Sequence, residues 1–286
     1  MVVRIGGVPE HYNAPIHRVL DRTGEYEWTS HPSGTGAMLE ALEAGQLDMA
    51  VLLTEGITKH AVSTKLTRIA GTFVDTPLPW GVHVSPSGAV KTMADLNENI
   101  SNLTFGISRF GSGSHLMAIV HAASLGKASP AFKVVNTMAG ARDAMIAGEI
   151  DVFLWDITTA DVFAREGAWA CIGTVSGDWP AFVFAVREDI DPGTLSKIGE
   201  FMSELSQECA LMKSKPAESA KYIQDKYHVS NLQASDFMES IQWNAKPVFS
   251  SKSLTTVVSS LAAAGIIPET SVDAGAVVKQ GACLLV

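Results

Sequence analysis

One phrase occurs twice and limits what the chain can fold into. Ala41, Ala44, Gly45, Leu47, Asp48 and Met49 recur, at the same spacing, as Ala144, Ala147, Gly148, Ile150, Asp151 and Val152. Each copy reads as the end of a helix, a glycine suited to the left-handed turn that stops it, an apolar-Asp pair and a strand. The first strand, Leu47 to Leu53, is an almost continuous apolar run, as in a parallel strand covered on both faces. The second runs out into Leu154-Trp155-Asp156. Each copy also follows its own strand and Gly-containing loop, around Ile5-Gly6-Gly7 and Phe105-Gly106-Ile107. The expectation is two similar α/β lobes, each a mixed sheet flanked by helices. Ligands of open α/β sheets gather at the carboxyl ends of strands, and two such lobes hold one in the crevice between them.

Composition narrows the partners. With 47% hydrophobic and 18% charged residues, the 286-residue chain can bury one large core or two medium ones. A net charge of -9 with no basic block argues against nucleic acid. No apolar run reaches a membrane span, so no transmembrane segment is expected. Met1 leads directly into the strand-like Val2-Val3-Arg4-Ile5, so the chain is expected to be cytoplasmic. Cys171, Cys209 and Cys283 lie far apart without metal spacing and read as free thiols.

In chain order, Arg4 to Val8 reads as a strand and Ile16, Val19 and Leu20 as one face of a helix. Tyr26 to Ser30 is a strand, and Ser33-Gly34-Thr35-Gly36 opens a helix ending at Ala44. Ile69 to Val74 and Trp80 to Val84 are strand-like, and Lys91 to Leu96 is a short helix. Phe182 to Arg187 is a further strand. Four helices then follow, Thr194 to Met212, Pro216 to Tyr227, Asn231 to Trp243 and Lys252 to Ala264. The crossings near Trp80 and Phe182 suggest one lobe inserted into the other: lobe I from 1–79 plus 186–286, lobe II from 84–180. Hinges would then lie at about 79–84 and 180–186.

Ser108-Arg109-Phe110-Gly111-Ser112-Gly113-Ser114-His115 joins a strand to the apolar helix Leu116 to Ser124. A Gly/Ser loop opening a helix offers backbone N–H groups and the positive end of the helix dipole to an anion. Arg109 could add a two-pronged contact. The same loop serves equally as a turn that needs Gly for geometry and Ser for an N-cap. It is no P-loop, since no Gly-Lys-Ser/Thr follows, and it lacks the third glycine of a dinucleotide fingerprint.

Taken together, these segments resemble the type II periplasmic binding protein fold. They include Ala44-Gly45-Gln46-Leu47-Asp48-Met49-Ala50, Lys91-Thr92-Met93-Ala94-Asp95-Leu96 and the Ser112-Gly113-Ser114 loop. Within that fold the chain is most similar to the branch holding solute-binding proteins for sulfonates, taurine and thiamine-pyrimidine precursors, with fungal thiamine-pyrimidine synthases. Gly6-Gly7-Val8-Pro9-Glu10-His11, Phe153-Leu154-Trp155-Asp156 and Trp179-Pro180 especially resemble a cytosolic subfamily of fungi and some bacteria. The resemblance implies a clamshell that binds a small organic molecule, anionic or heteroaromatic, without a cofactor. It implies a cleft lined from lobe I by Glu10, His11, Tyr12, Asn13, Thr35, Gly36, Thr54 and Glu55. Trp80 would lie at the hinge, and lobe II would give Arg109, Ser112, Gly113, Ser114, His115, Trp155, Asp156 and Trp179. The synthase branch carries a cysteine-rich metal motif, which does not occur in this sequence, and the transport members carry a secretory leader, which is not expected here.

Each of these residues also has an ordinary structural use. Trp80, Trp155 and Trp179 are walls for a flat ligand or half-buried packing. His11 and His115 are ligand donors or else caps or surface residues, and Asp156 and Glu55 are ligand acceptors or else N-caps or first-turn acids of the helices that follow. No Gly-x-Ser-x-Gly elbow and no His/Cys metal cluster appears, so the chain is expected to bind rather than to catalyse. A synthase-like enzyme and a ligand-sensing protein that engages an unidentified protein partner are the alternatives. Cys283-Leu284-Leu285-Val286 resembles a prenylation end, but with no polybasic stretch upstream an apolar tail docked on its own domain is expected.

Overall fold

The structure, a computed structural model, describes residues 2–269 and 273–286. In chain order it begins β1 (Val3–Gly7), α1 (Ala14–Leu20), β2 (Tyr26–Ser30), α2 (Thr35–Glu43), β3 (Met49–Leu53), α3 (Thr54–Thr64) and β4 (Thr67–Val74). There follow β5 (Trp80–Val84), α4 (Met93–Asn99), β6 (Thr104–Ile107), α5 (Gly113–Ser124), β7 (Ala131–Val134), α6 (Met138–Ile146), β8 (Val152–Asp156), α7 (Ile157–Arg165) and β9 (Ala170–Val175). The chain ends with β10 (Phe182–Arg187), α8 (Pro192–Ser214), α9 (Pro216–Tyr227), α10 (Asn231–Ser240), β11 (Trp243–Lys246), β12 (Val248–Phe249), α11 (Ser251–Ala263) and β13 (Leu284–Leu285).

These elements form two compact units. The first comprises Met1–Pro77, Trp179–Val258 and Thr270–Val286; the second comprises Leu78–Asp178 and Ser259–Glu269. The sequence reading assigns 259–269 to the first lobe instead.

The first unit is built on a six-stranded sheet of order β11-β4-β10-β3-β1-β2. β1 runs parallel to β2 and β3, while β10 lies antiparallel to both β3 and β4. Every residue of β4 is buried, and in β3 only Leu53 is partly exposed, because helices cover both faces of the sheet. Met38, Leu42, Leu52, Ile57, Val183 and Phe249 pack in its core.

The second unit carries a five-stranded sheet of order β7-β6-β8-β5-β9. β6 is parallel to β7 and β8, and β5 is antiparallel to β8 and β9. Phe153, Trp169, Met145 and Ile150 fill the core beneath α6 and α7.

The sequence repeat is a repeat of structure. Gly45 (φ 67°) and Gly148 (φ 68°) both take the left-handed conformation that ends α2 and α6. Ile5 pairs with Met49 in the first sheet as Phe105 pairs with Val152 in the second. In each unit one antiparallel strand, β10 or β5, is inserted next to the repeat's third strand.

One reading of the C-terminal region needs correction. The helix expected over Asn231 to Trp243 ends at Ser240, and Trp243 starts β11 beside β4. Ile241 there leaves the helical conformation (ψ 138°), and the chain turns to give the sheet an edge. The last residues form β13, parallel to β12, and the amide of Ser251 donates to the Val286 carbonyl at 2.8 Å. The tail thus docks on its own unit, with Cys283 buried.

Candidate functional site

In the first unit the expected site residues lie where β1, β2 and β3 give way to α1, α2 and α3. The loop after β1 folds into a short 3-10 turn over His11–Asn13, all three residues buried. The His11 ring packs edge-on against Phe237 at 4.4 Å, and Tyr12 lies 5.0 Å from Phe182. The Trp243 indole donates to the Tyr12 carbonyl at 2.9 Å, which fixes the loop against β11. The Asn13 amide nitrogen donates to the Val8 carbonyl at 2.7 Å. Since a carbonyl can only accept, the outer atom of that amide is its oxygen. Glu10 is half-buried at the entry to this turn.

Thr35 starts α2 and is buried, with Gly36 half-buried beside it. The Thr35 methyl lies where a side chain on Gly56 would go, 2.7 Å from that Cβ position, so α2 and α3 meet closely at their starts. Thr54 caps no helix. Its hydroxyl donates to the Pro180 carbonyl and its amide to Ala181 at 3.3 Å, tying the start of α3 to the segment leading into β10. Glu55 follows, only 2% exposed, and its Oε2 accepts the Trp179 indole N–H at 3.1 Å. Burial pushes this carboxyl up to about 7, although the Trp179 N–H and the backbone pull it down.

In the second unit the loop between β6 and α5 carries the expected cluster. Ser112 is the N-cap of α5: its hydroxyl accepts the His115 amide at 3.4 Å and lies 3.2 Å from the Ser114 hydroxyl. The Gly111 amide donates to His115 Nδ1 at 3.0 Å, which places the ring proton of neutral His115 on Nε2. The His115 ring lies between Phe110 and Phe132, edge-on to both. Gly111 takes φ 82°, reserved for glycine, and this turn brings Ser112 and Ser114 into burial while leaving Gly113 half-buried. Arg109 is half-buried at the loop's entry. Phe110, which sequence reading did not single out, is 67% exposed and stands out from the loop. An aromatic residue beside Arg109 was the only available signal for it.

β8 brings the remaining residues together within the same unit. Asp156 accepts the Thr159 amide at 2.9 Å as the N-cap of α7, which gives that carboxylate a structural partner. Trp155 stacks on Phe153 with ring centroids 5.3 Å apart. Trp80, buried at the start of β5, pairs in register with Asp156. Trp179, expected from lobe II, belongs to the first unit, where it meets Glu55.

Among the described residues no group of three or more His, Cys, Asp or Glu could hold a metal ion, and no helix is long and apolar enough to cross a membrane.

The comparisons with known proteins agree with this architecture. Residues 83–175, within the second unit, match the family model for Ca3427-like periplasmic binding proteins. None of the curated proteins matches the chain. Among solved structures, the Candida albicans CA3427 gene product, which defines a family with the generic periplasmic binding protein fold, superposes with a TM-score of 0.85. It is 21% identical, over 95% of this chain and 92% of that one. The alkanesulfonate-binding protein SsuA of Xanthomonas axonopodis pv. citri, bound to MOPS, gives 0.73 at 19% identity, over 96% and 97% of the two chains. The periplasmic aliphatic sulphonate binding protein SsuA of Escherichia coli gives 0.69 at 17% identity, over 98% of each. The fold is that of type II periplasmic binding proteins, as the sequence resemblance implies. The synthase alternative gains no support from these likenesses.

Proposed function

We propose that this chain binds a small organic ligand, anionic or heteroaromatic, between lobes spanning 1–79 plus 186–286 and 84–180. Segments 79–84 and 180–186 would act as the hinges. Support comes from a fold whose relatives include sulfonate-binding proteins, together with the loop that opens α5. That loop carries the reading. Its first turn offers N–H groups that have no acceptor within the helix, the helix dipole favours negative charge, and the buried Ser112 and Ser114 hydroxyls add donors. Arg109 brings a cation to the same loop, and Trp80, Trp155 and Trp179 supply flat apolar faces. Ligand held from both lobes would favour a shut state over an open one.

A thermal-shift comparison of wild type with Arg109→Ala tests this, using sulfonates, phosphorylated pyrimidines, thiamine precursors and simple oxyanions. A ligand at ~100 times its dissociation constant stabilises by about 2.7 kcal/mol. The expected result is a shift in wild type that shrinks in the variant. A shift that is the same in both proteins removes Arg109 from the site.

A further inference from the structure

Of the buried side-chain oxygens in the first unit that have no hydrogen-bond partner, two are amide or carboxyl oxygens at the ends of β1 and β3. Glu55 and Asn13 are 2% and 3% exposed, yet Glu55 Oε1 and Asn13 Oδ1 have no hydrogen-bond partner. Each residue's other polar atom is occupied, Glu55 Oε2 by the Trp179 indole and Asn13 Nδ2 by the Val8 carbonyl. Neither side chain can therefore turn over without breaking a bond already made. Asn13 Oδ1 is an acceptor, and Glu55 Oε1 is one in the ionised form that a donor or cation would favour.

They also belong to one end of one sheet. Asn13 ends the turn after β1 and Glu55 begins the helix after β3, and these two strands pair directly. The loops are linked through packing: Tyr12 lies against Phe182, which pairs with Leu53, two residues before Glu55. A buried acceptor left without a donor costs more than a paired one contributes, so such atoms usually mark a group that arrives from elsewhere.

We infer that Glu55 and Asn13 form the subsite for a nitrogen donor on the ligand, a primary amine or ring-bound amino group. This rests on the small-ligand reading above and adds a requirement to it: the ligand is an amino compound, not only an anion. The raised pKa of Glu55 fits, because an isolated buried carboxylate is held near neutrality until a donor or cation reaches it. A simple anion would face this acceptor pair unfavourably.

The test uses matched probes that differ by one amino group: taurine against ethanesulfonate, β-alanine against propionate, and 4-aminopyrimidine against pyrimidine. Binding is measured by titration calorimetry to wild type and to Glu55→Gln. Glutamine keeps an acceptor for Trp179 and offers an N–H₂ where the orphan oxygen stood. In wild type an amino probe should bind about tenfold to a hundredfold tighter than its partner, the worth of a hydrogen bond to a charged group. Glu55→Gln should abolish that preference. Equal binding within every pair, or a preference that survives in Glu55→Gln, overturns the inference and leaves the small-ligand reading standing. Failure of every probe to bind overturns both. The wild-type comparison decides even if the variant does not fold.

Discussion

Asp48 holds Arg4 at three points. Its Oδ2 accepts the Arg4 amide at 2.9 Å and Nε at 3.0 Å, and its Oδ1 accepts Nη2 at 2.6 Å. One residue thereby pins both the backbone and the side chain at the start of β1 to the start of β3. Asp151 does half of this work in the other unit, accepting only the Thr104 amide, at 2.8 Å, at the start of β6. Asp48→Ala should cost about 1–3 kcal/mol and Asp151→Ala about 1 kcal/mol, with urea unfolding as the measure. The reverse ranking would show that the guanidinium contributes little. Burial alone would raise the Asp48 carboxyl, but the bonds and charge of Arg4 lower it below the usual carboxylate range. The Asp48 contribution is thus complete above the ordinary aspartate pKa and fades as pH falls through its lowered value.

Glu55 and His83 pull stability in opposite directions with pH. Burial raises Glu55 from 4.5 to about 7, so between those values the folded chain holds a proton that the unfolded chain has released. Stability therefore falls as pH rises through that window, by roughly 3 kcal/mol in full. Glu55→Gln should flatten this slope in a series of unfolding curves from pH 5 to 8. An unchanged slope would place the titration elsewhere.

His83 is 1% exposed, its ring lies 5.2 Å from that of Trp169 at a 39° tilt, and burial lowers it to about 4. Here the unfolded chain takes up the proton first, so stability is lost as pH falls from about 6.5 toward 4. His83→Leu should hold its melting temperature further into acid than wild type does. Parallel losses in the two proteins would exonerate this ring.

Cysteine chemistry separates surface from core. Cys171 is exposed on β9, whereas Cys209 and Cys283 are buried and burial raises both thiols, Cys283 to about 12. Iodoacetamide should add one label to the native protein, at Cys171, and three after denaturation, read by mass spectrometry. Early labelling of Cys283 would mean that the tail is not docked.

At Gly7 the backbone leaves no room for a side chain, because a Cβ there would run into the Trp28 ring. Trp28 is itself held between His17, 4.8 Å away, and a hydrogen bond to Ser30. Gly7→Ala should therefore cost about 1–3 kcal/mol, the usual penalty for overpacking, with no change expected from Gly24→Ala, where the space is open. Equal melting temperatures for the two variants would mean that Trp28 moves aside freely.

What could be read from sequence is what local rules encode. The repeat around Asp48 and Asp151 was legible because a left-handed glycine, an aspartate and an apolar strand each leave a distinct residue type at a fixed place. β11 to β13 were not. Two of them are two residues long, and Trp243–Lys246 continues a stretch with helical spacing, so only pairing with β4 decides its state. The loop before α5 was legible as a helix start, but the sequence could not choose between cap and ligand contact for Ser112, the N-cap of α5, or for Asp156, the N-cap of α7. Either side chain serves a ligand as readily as a backbone amide. The burial of Glu55 was hidden as well. It depends on Trp179, which lies 124 positions further along the chain.

The insertion of β10 between β3 and β4 has a consequence for the order in which the protein is made. All five strands of the second sheet lie between residues 80 and 175, so that sheet can close as soon as this stretch has left the ribosome. The first sheet cannot. β3 and β4 leave the ribosome early, yet their shared neighbour arrives only with Phe182–Arg187, and until then the facing edges of both strands stand open. The sheet whose strands are translated first is the sheet that is completed last. During that interval the open edges of β3 and β4 are available for wrong pairing.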